Sequence, residues 1–394
     1  MVFLFAPCHS SSSESVPFVP PLSRYEGTIY APMLIGTNTP NPNAGNGGKR
    51  GFMNESACFS DLSLYELDRY QWLVQHNGVI QGFTTERGKV LAQHAGSMES
   101  LRAHQIIPGY INALLLNNEN RHALGQSLNG YKQSSVGVTD TEVDYARSYV
   151  SRLFGTKLSD VQVIRVPEHV MPASSLGVVY SNGTANHLMV VPEHSFDPYG
   201  MLVRQFAIAA HYTAMRGKPG LASMMSDDLT QAMVGQYTLL RFASDEPDKC
   251  SIMRHLQMLV GWEFAKGLSR TPEMPLGFIA SDLGEQLMHA YGTGMFKALL
   301  TEQYESASNG KAMWFGSCNF TGTAIALALL GDDAGMAMFI AIDSGDRKLG
   351  DKLLEAFPYC DEDCLKAMQE AFNARLAEVI SRATSEIEVV DACS

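Results

Sequence analysis

Gly177-Val178-Val179-Tyr180 and Asn186-His187-Leu188-Met189-Val190-Val191, joined through Asn182-Gly183, read as two β-strands followed by a long helix. That helix opens at Asp197-Pro198 and runs from Tyr199 to Arg216 with apolar residues at helical spacing. Asp197 offers a capping oxygen, and Pro198 at the first helical position gives up an amide that has no partner there. Gly217-Lys218-Pro219-Gly220 stops the run. Ser226-Asp227-Asp228 then opens a second helix through Tyr237, with acids where the helix dipole favours them. Asn182-Gly183 tolerates positive φ, so the spacing predicts a tight primed turn between the strands.

Outward from this stretch the chain is mainly helical. Val143, Ala146, Tyr149, Val150 and Leu153 predict a helix over 140–154, with Thr139 or Thr141 as its cap and Gly155 as its stop. Residues 161–166 are rich in β-branched side chains and predict a strand ended by Pro167. Toward the N-terminus, Leu64, Leu67, Tyr70, Leu73 and Val74 form a helical face, Val79–Phe83 reads as a short strand and 111–116 as a buried helix. Helices are also predicted over 256–268, 282–300, 349–357 and 361–380. Gly292 and Gly294 fall inside one of them, where close helix packing is the expected compensation. The fold class is therefore α+β, predominantly helical.

Helix, strand, hairpin, long helix and following helix, in that order over 140–300, resemble the core of the zincin metallopeptidases. In active members the long helix carries H-E-x-x-H, two zinc-binding histidines with a general-base Glu between them, and a Glu on the next helix is the third ligand. Here Ala210-His211-Tyr212-Thr213-Ala214-Met215 keeps only the first histidine. Tyr212 stands at the base position, Met215 at the second histidine and Gln231 near the third ligand. Met suits soft copper, Gln is a poor neutral ligand, and Tyr is protonated at neutral pH. The resemblance thus implies a zincin-like core with a small mixed sheet on the helix of the active-site type, and a pseudoenzyme with no zinc or other cofactor. Its expected role is protein–protein interaction. An alternative is a metal-dependent hydrolase with atypical ligands, His211 with His194 and Asp227. The bland reading of His211 is a hydrogen-bonded core histidine.

Bulk properties bound the rest. A formal charge of -12 over 394 residues, with no basic tract, argues against a nucleic-acid partner. Residues 1–50, rich in Pro, Ser and Asn, form an extended arm that suggests self-assembly as a further alternative. The expected divisions are that arm, a mostly helical segment 51–135, the core 136–300 and a helical segment 301–394. Gly45–Lys49 lacks the Ser or Thr and the flanking elements of a phosphate loop. There is no nucleophile elbow and no dinucleotide fingerprint. Seven cysteines without metal-site spacing predict reduced thiols. Val2–Ala6 is too short for a secretory signal, and 324–330 and 336–342 are too short to span a bilayer. A soluble cytoplasmic protein is expected, with an extracellular placement left open.

Overall fold

The computed structural model describes residues 55–94, 114–127, 134–271, 275–308, 310–357 and 364–393. The expected arm, the Gly45–Lys49 run and the first three residues of the helix expected over 361–380 lie outside them. The chain is α+β and mostly helical. Its elements are α1 (Glu55–Gln75), α2 (Glu86–Gln93), α3 (Asn118–Ser127), β1 (Val136–Gly137), α4 (Asp140–Phe154), β2 (Gln162–Val166), β3 (Val178–Ser181), β4 (His187–Pro192) and β5 (His194–Ser195). There follow α5 (Pro198–Arg216), α6 (Asp228–Asp245), α7 (Ile252–Arg270), a single turn at Leu276–Ile279, α8 (Asp282–Ala307), α9 (Gly310–Ala328), α10 (Asp333–Ile342), α11 (Leu349–Ala356) and α12 (Cys364–Cys393).

A mixed sheet in the order β2-β4-β3 organises the first half. β2 runs parallel to β4 and β3 antiparallel to it. β4 is buried along its whole length, and because strand side chains alternate it serves two cores. Met189 and Val191 join Leu202, Phe206 and Ala209 of α5 in the larger core. Leu188 and Val190 join Val166, Val178 and Leu73 of α1 in a smaller one. Burying each of these side chains contributes roughly 1.5–3 kcal/mol. The sheet is therefore the middle layer between α1 and α5.

Helix α5 is buried on all sides, with Leu202, Val203, Phe206, Ala207 and Ala210 at 0% exposure, which is the pattern of a central helix. It packs between α4 and α6. α9 approaches α6 closely enough that a Cβ at Gly322 would stand 2.7 Å from the Met233 amide. The same apolar core includes Leu114, Val143, Phe320 and Leu376, so packing runs across the expected borders at 135/136 and 300/301. Among the described residues no helix is long and apolar enough to cross a membrane.

Local signals placed several elements where the sequence put them. α4 begins after Thr139, whose amide donates to the Glu142 carboxylate at 2.8 Å, and ends at Gly155 with φ +61. Asp197 accepts from the Gly200 amide at 3.1 Å to cap α5. Asp332 caps α10 in the same manner.

Four expectations are corrected. β3 and β4 pair Ser181 with His187, so the connection spans Asn182–Asn186 and is longer than a two-residue turn. Asn182 instead closes a local loop by accepting from the Thr184 amide and hydroxyl. Val79–Phe83 forms a turn, because the Phe83 amide reaches the Ile80 carbonyl and Trp72 takes the Val79 carbonyl. Residues 114–116 are not helical; the backbone of Leu115 pairs with the Gln369 side chain of α12 at both its amide and its carbonyl. Gly292 breaks α8 with φ 77 and ψ 156, and a Cβ at Gly292 or Gly294 would meet nothing within 4 Å. Backbone freedom, not close packing, explains Gly292.

The two glycines should therefore respond with opposite signs. Gly292→Ala is expected to lower unfolding free energy by about 1–3 kcal/mol, because its backbone is restricted to glycine. Gly294→Ala is expected to raise it by up to about 1 kcal/mol, since it is helical and uncrowded. Urea denaturation of the two variants checks the pair, and a loss at both positions would point to packing instead.

Candidate functional site

His211 lies on the fully buried face of α5, and its Nε2 is 2.9 Å from Asp343 Oδ2 in the loop after α10. Lys352 of α11 places its ammonium 3.0 Å from the same carboxylate oxygen. Thr230 Oγ1 is 3.3 Å from that ammonium and Asp227 Oδ2 is 3.9 Å away. His211, Asp227, Thr230, Asp343 and Lys352 are all at 0% exposure. Phe339 adds a ring face 5.3 Å from Lys352 Nζ.

Each member is held by its own element. Asp227 Oδ1 caps α6 by accepting from the Thr230 amide at 2.7 Å, while its Oδ2 makes no hydrogen bond. Asp343 Oδ1 accepts from the Gly345 amide at 3.0 Å. Gly345 needs its φ of +75, and a Cβ there would run into the Ala222 carbonyl. Burial alone would push the Asp343 carboxyl up; the hydrogen bond from His211 and the Lys352 ammonium outweigh it and hold the group well below the usual carboxylate range.

Of the other positions singled out on the resemblance, Tyr212 and Gln231 are half-buried and Met215 is buried. Met215 is at 0% exposure. Tyr212 donates to Gln231 Oε1 at 3.0 Å, and Gln231 Nε2 donates to the Ser226 carbonyl at 3.2 Å. His211, Tyr212 and Gln231 are thus close neighbours. His194 is not part of the group: its ring is half exposed, and its Nδ1 stands 3.9 Å from Glu193 Oε1.

Ser226, His211 and Asp343 carry the residue types of a nucleophilic triad, and Ser226 Oγ is 3.5 Å from His211 Nδ1. That separation is at the limit for a hydrogen bond. The hydroxyl belongs to a residue 5% exposed, and the carboxylate behind the imidazole is already committed to Lys352. Activation of Ser226 as a nucleophile, by passing its hydroxyl proton to His211, does not fit this arrangement.

A second polar group lies at the start of α5. Asp197 Oδ2, Cys250 Sγ and His255 Nε2 all fall within 4.8 Å of one another. Among the described residues this is the one group of three such side chains with metal-holding geometry. Sequence reading treated Cys250 as isolated and Asp197 as a cap. The missed signal was Cys250 and His255 five residues apart, ahead of and within the first turn of α7. Cys58, Cys250 and Cys318 are buried and form no disulfide. Elsewhere a cleft of about 690 Å³ opens between α3 and α8, lined by Arg121, His122, Glu285 and His289; none of the residues discussed above lines it. Compared with family models, curated proteins and solved structures, the chain finds no match.

Below α5, His187 is buried with Nε2 3.0 Å from Thr213 Oγ1. Burial first, and the Arg216 guanidinium second, lower its pKa from 6.5 to about 3. Between those values the unfolded chain binds a proton that the folded chain refuses, so this contribution is fully present above 6.5 and is lost as pH falls. Acidification from about pH 7 to about pH 5 should lower stability, with a slope from this group approaching about 1.4 kcal/mol per pH unit. Denaturant titrations across that range check it, and His187→Gln should flatten the slope.

Proposed function

We propose that this chain is a catalytically silent member of the zincin-like class and acts through protein–protein contacts. The observation that carries the reading is the burial of His211 together with Asp343 and Lys352, each at 0% exposure. A catalytic zinc needs three ligands and an open position for water or substrate. At His211 the imidazole nitrogen that would face a metal is engaged by a carboxylate, and an ammonium stands beside that carboxylate. A lysine side chain thus provides the positive charge that an ion would provide. Tyr212 and Gln231 are spent on each other.

A hydrolase using His211, His194 and Asp227 is less well supported, because the His194 side chain is half exposed while His211 and Asp227 are fully buried. Partner contact is supported by apolar side chains left at the surface. Leu276 is 74% exposed and Ile279, one helical turn on, is 37% exposed. Single exposed apolar residues are ordinary, but adjacent ones on a short helical turn offer an anchor.

Two measurements test the silent reading together. Purified protein supplied with zinc or cobalt is expected to cleave neither casein nor a mixed peptide library. His211→Ala is expected to leave metal content unchanged while lowering stability, since it strips the buried Asp343 carboxylate of one of its partners. Peptidase activity that disappears in His211→Ala, with loss of bound metal, would overturn the reading.

A further inference from the structure

We propose that Asp197, Cys250 and His255 form a binding site for one divalent metal ion of the zinc class. The site lies at the other end of α5 from His211 and is independent of the reading given for that residue. Cys250 Sγ is 3.4 Å from His255 Nε2 and 3.5 Å from Asp197 Oδ2. With Zn–S near 2.3 Å and Zn–N or Zn–O near 2.0 Å, tetrahedral ligands sit about 3.3–3.6 Å apart. Both contacts of the thiol already have that spacing. The remaining pair, His255 Nε2 and Asp197 Oδ2, is 2.6 Å apart. A hydrogen bond holds these two atoms together, and a cation between them would replace it by opening the pair by about 0.7 Å.

The surroundings preorganise the three donors. Asp197 Oδ1 is fixed by the Gly200 amide, which leaves Oδ2 aimed at the other two atoms. Gly200 keeps space there: a Cβ would collide with Asp197 Oδ2 and come within 2.9 Å of His255 Nε2. A glycine in the first turn of a helix sacrifices propensity, and room for the Asp197 and His255 side chains accounts for it. Asp197 and His255 side chains are 11% and 13% exposed, so the group keeps some contact with solvent, from which an ion and a water as fourth ligand would come. Without metal, burial first and the Asp197 carboxylate next push the Cys250 thiol well up, so it is a poor free nucleophile.

Binding balances as an exchange of a proton for the ion. The cation takes the Cys250 thiolate, the Nε2 of a neutral His255 and the Asp197 carboxylate; the proton on sulfur leaves to solvent, and the imidazole hydrogen sits on Nδ1 once Nε2 is a ligand. Affinity therefore falls on acidification. The set of one thiolate, one imidazole and one carboxylate matches zinc or cobalt(II) and is a poor match for magnesium or calcium. A bound ion would tie the start of α5 to the turn before α7.

Cobalt(II) titration of the full chain tests the proposal. The expected result is a thiolate-to-cobalt charge-transfer band with tetrahedral d–d bands, saturating at one equivalent and displaced by zinc. Cys250→Ser should abolish the charge-transfer band, and His255→Gln and Gly200→Ala should each weaken binding at least tenfold. Cys250 is buried, so the ligand set is also read on unaltered protein by zinc X-ray absorption. A first shell with one sulfur supports the site. Absence of the charge-transfer band, its persistence in Cys250→Ser, or a shell of nitrogen and oxygen alone would overturn it.

Discussion

A lysine ammonium buried among carboxylates holds the centre of this molecule together. Lys352 on α11 meets Asp343 after α10 and stands by Asp227 and Thr230 at the start of α6, while Asp343 also holds His211 of α5. Taking a charge out of water carries a penalty of several kcal/mol per ion, which only close partners and further hydrogen bonds offset. These partners supply them, helped by the Gly345 amide on Asp343 and the ring of Phe339. Two pairs of successive helices far apart in sequence, α5 with α6 and α10 with α11, are thereby held in one arrangement. Lys218 strengthens the same corner by donating to the carbonyls of Ala341 and Asp343.

This constraint also shapes what the site can do. A catalytic centre needs a reactive atom that substrate can reach and a charge that changes during the reaction. Here the imidazole, the ammonium and the Asp343 carboxylate face one another inside the core, at 0% exposure. The chemistry that the fold leaves accessible is at the opposite end of α5, where Asp197, Cys250 and His255 converge beneath a partly open surface. One helix thus carries a closed polar centre toward its C-terminus and a candidate ligand set at its cap.

What the sequence made legible was local. The cap at Asp197, the β-branched run of β2 and the amphipathic spacing of α4 are decided by residues within one or two turns. The individual strands were legible in the same way, whereas a small mixed sheet was expected only from the resemblance; β2, β4 and β3 form one. The turn at Asn182 was misread because the Asn side chain supplied an alternative hydrogen bond to Thr184. Gly292 was misread because spacing alone does not distinguish a packing glycine from one with positive φ. The partners of His211 were out of reach, since Asp343 lies 132 residues away. One clue was present: Leu349, Lys352, Leu353 and Ala356 share a helical face, which sets a charged residue within an apolar stripe. A lysine there must find an acid inside the core.

The most direct measurement is a double-mutant cycle on Lys352 and Asp343, read as unfolding free energies. Lys352→Met and Asp343→Asn should each destabilise the chain by about 3–5 kcal/mol, because each strands a buried polar partner. The double variant should lose far less than the sum of the two, giving a coupling of about 2 kcal/mol or more. Additive losses would mean that ammonium and carboxylate do not stabilise one another, and the closed polar centre would have to be abandoned.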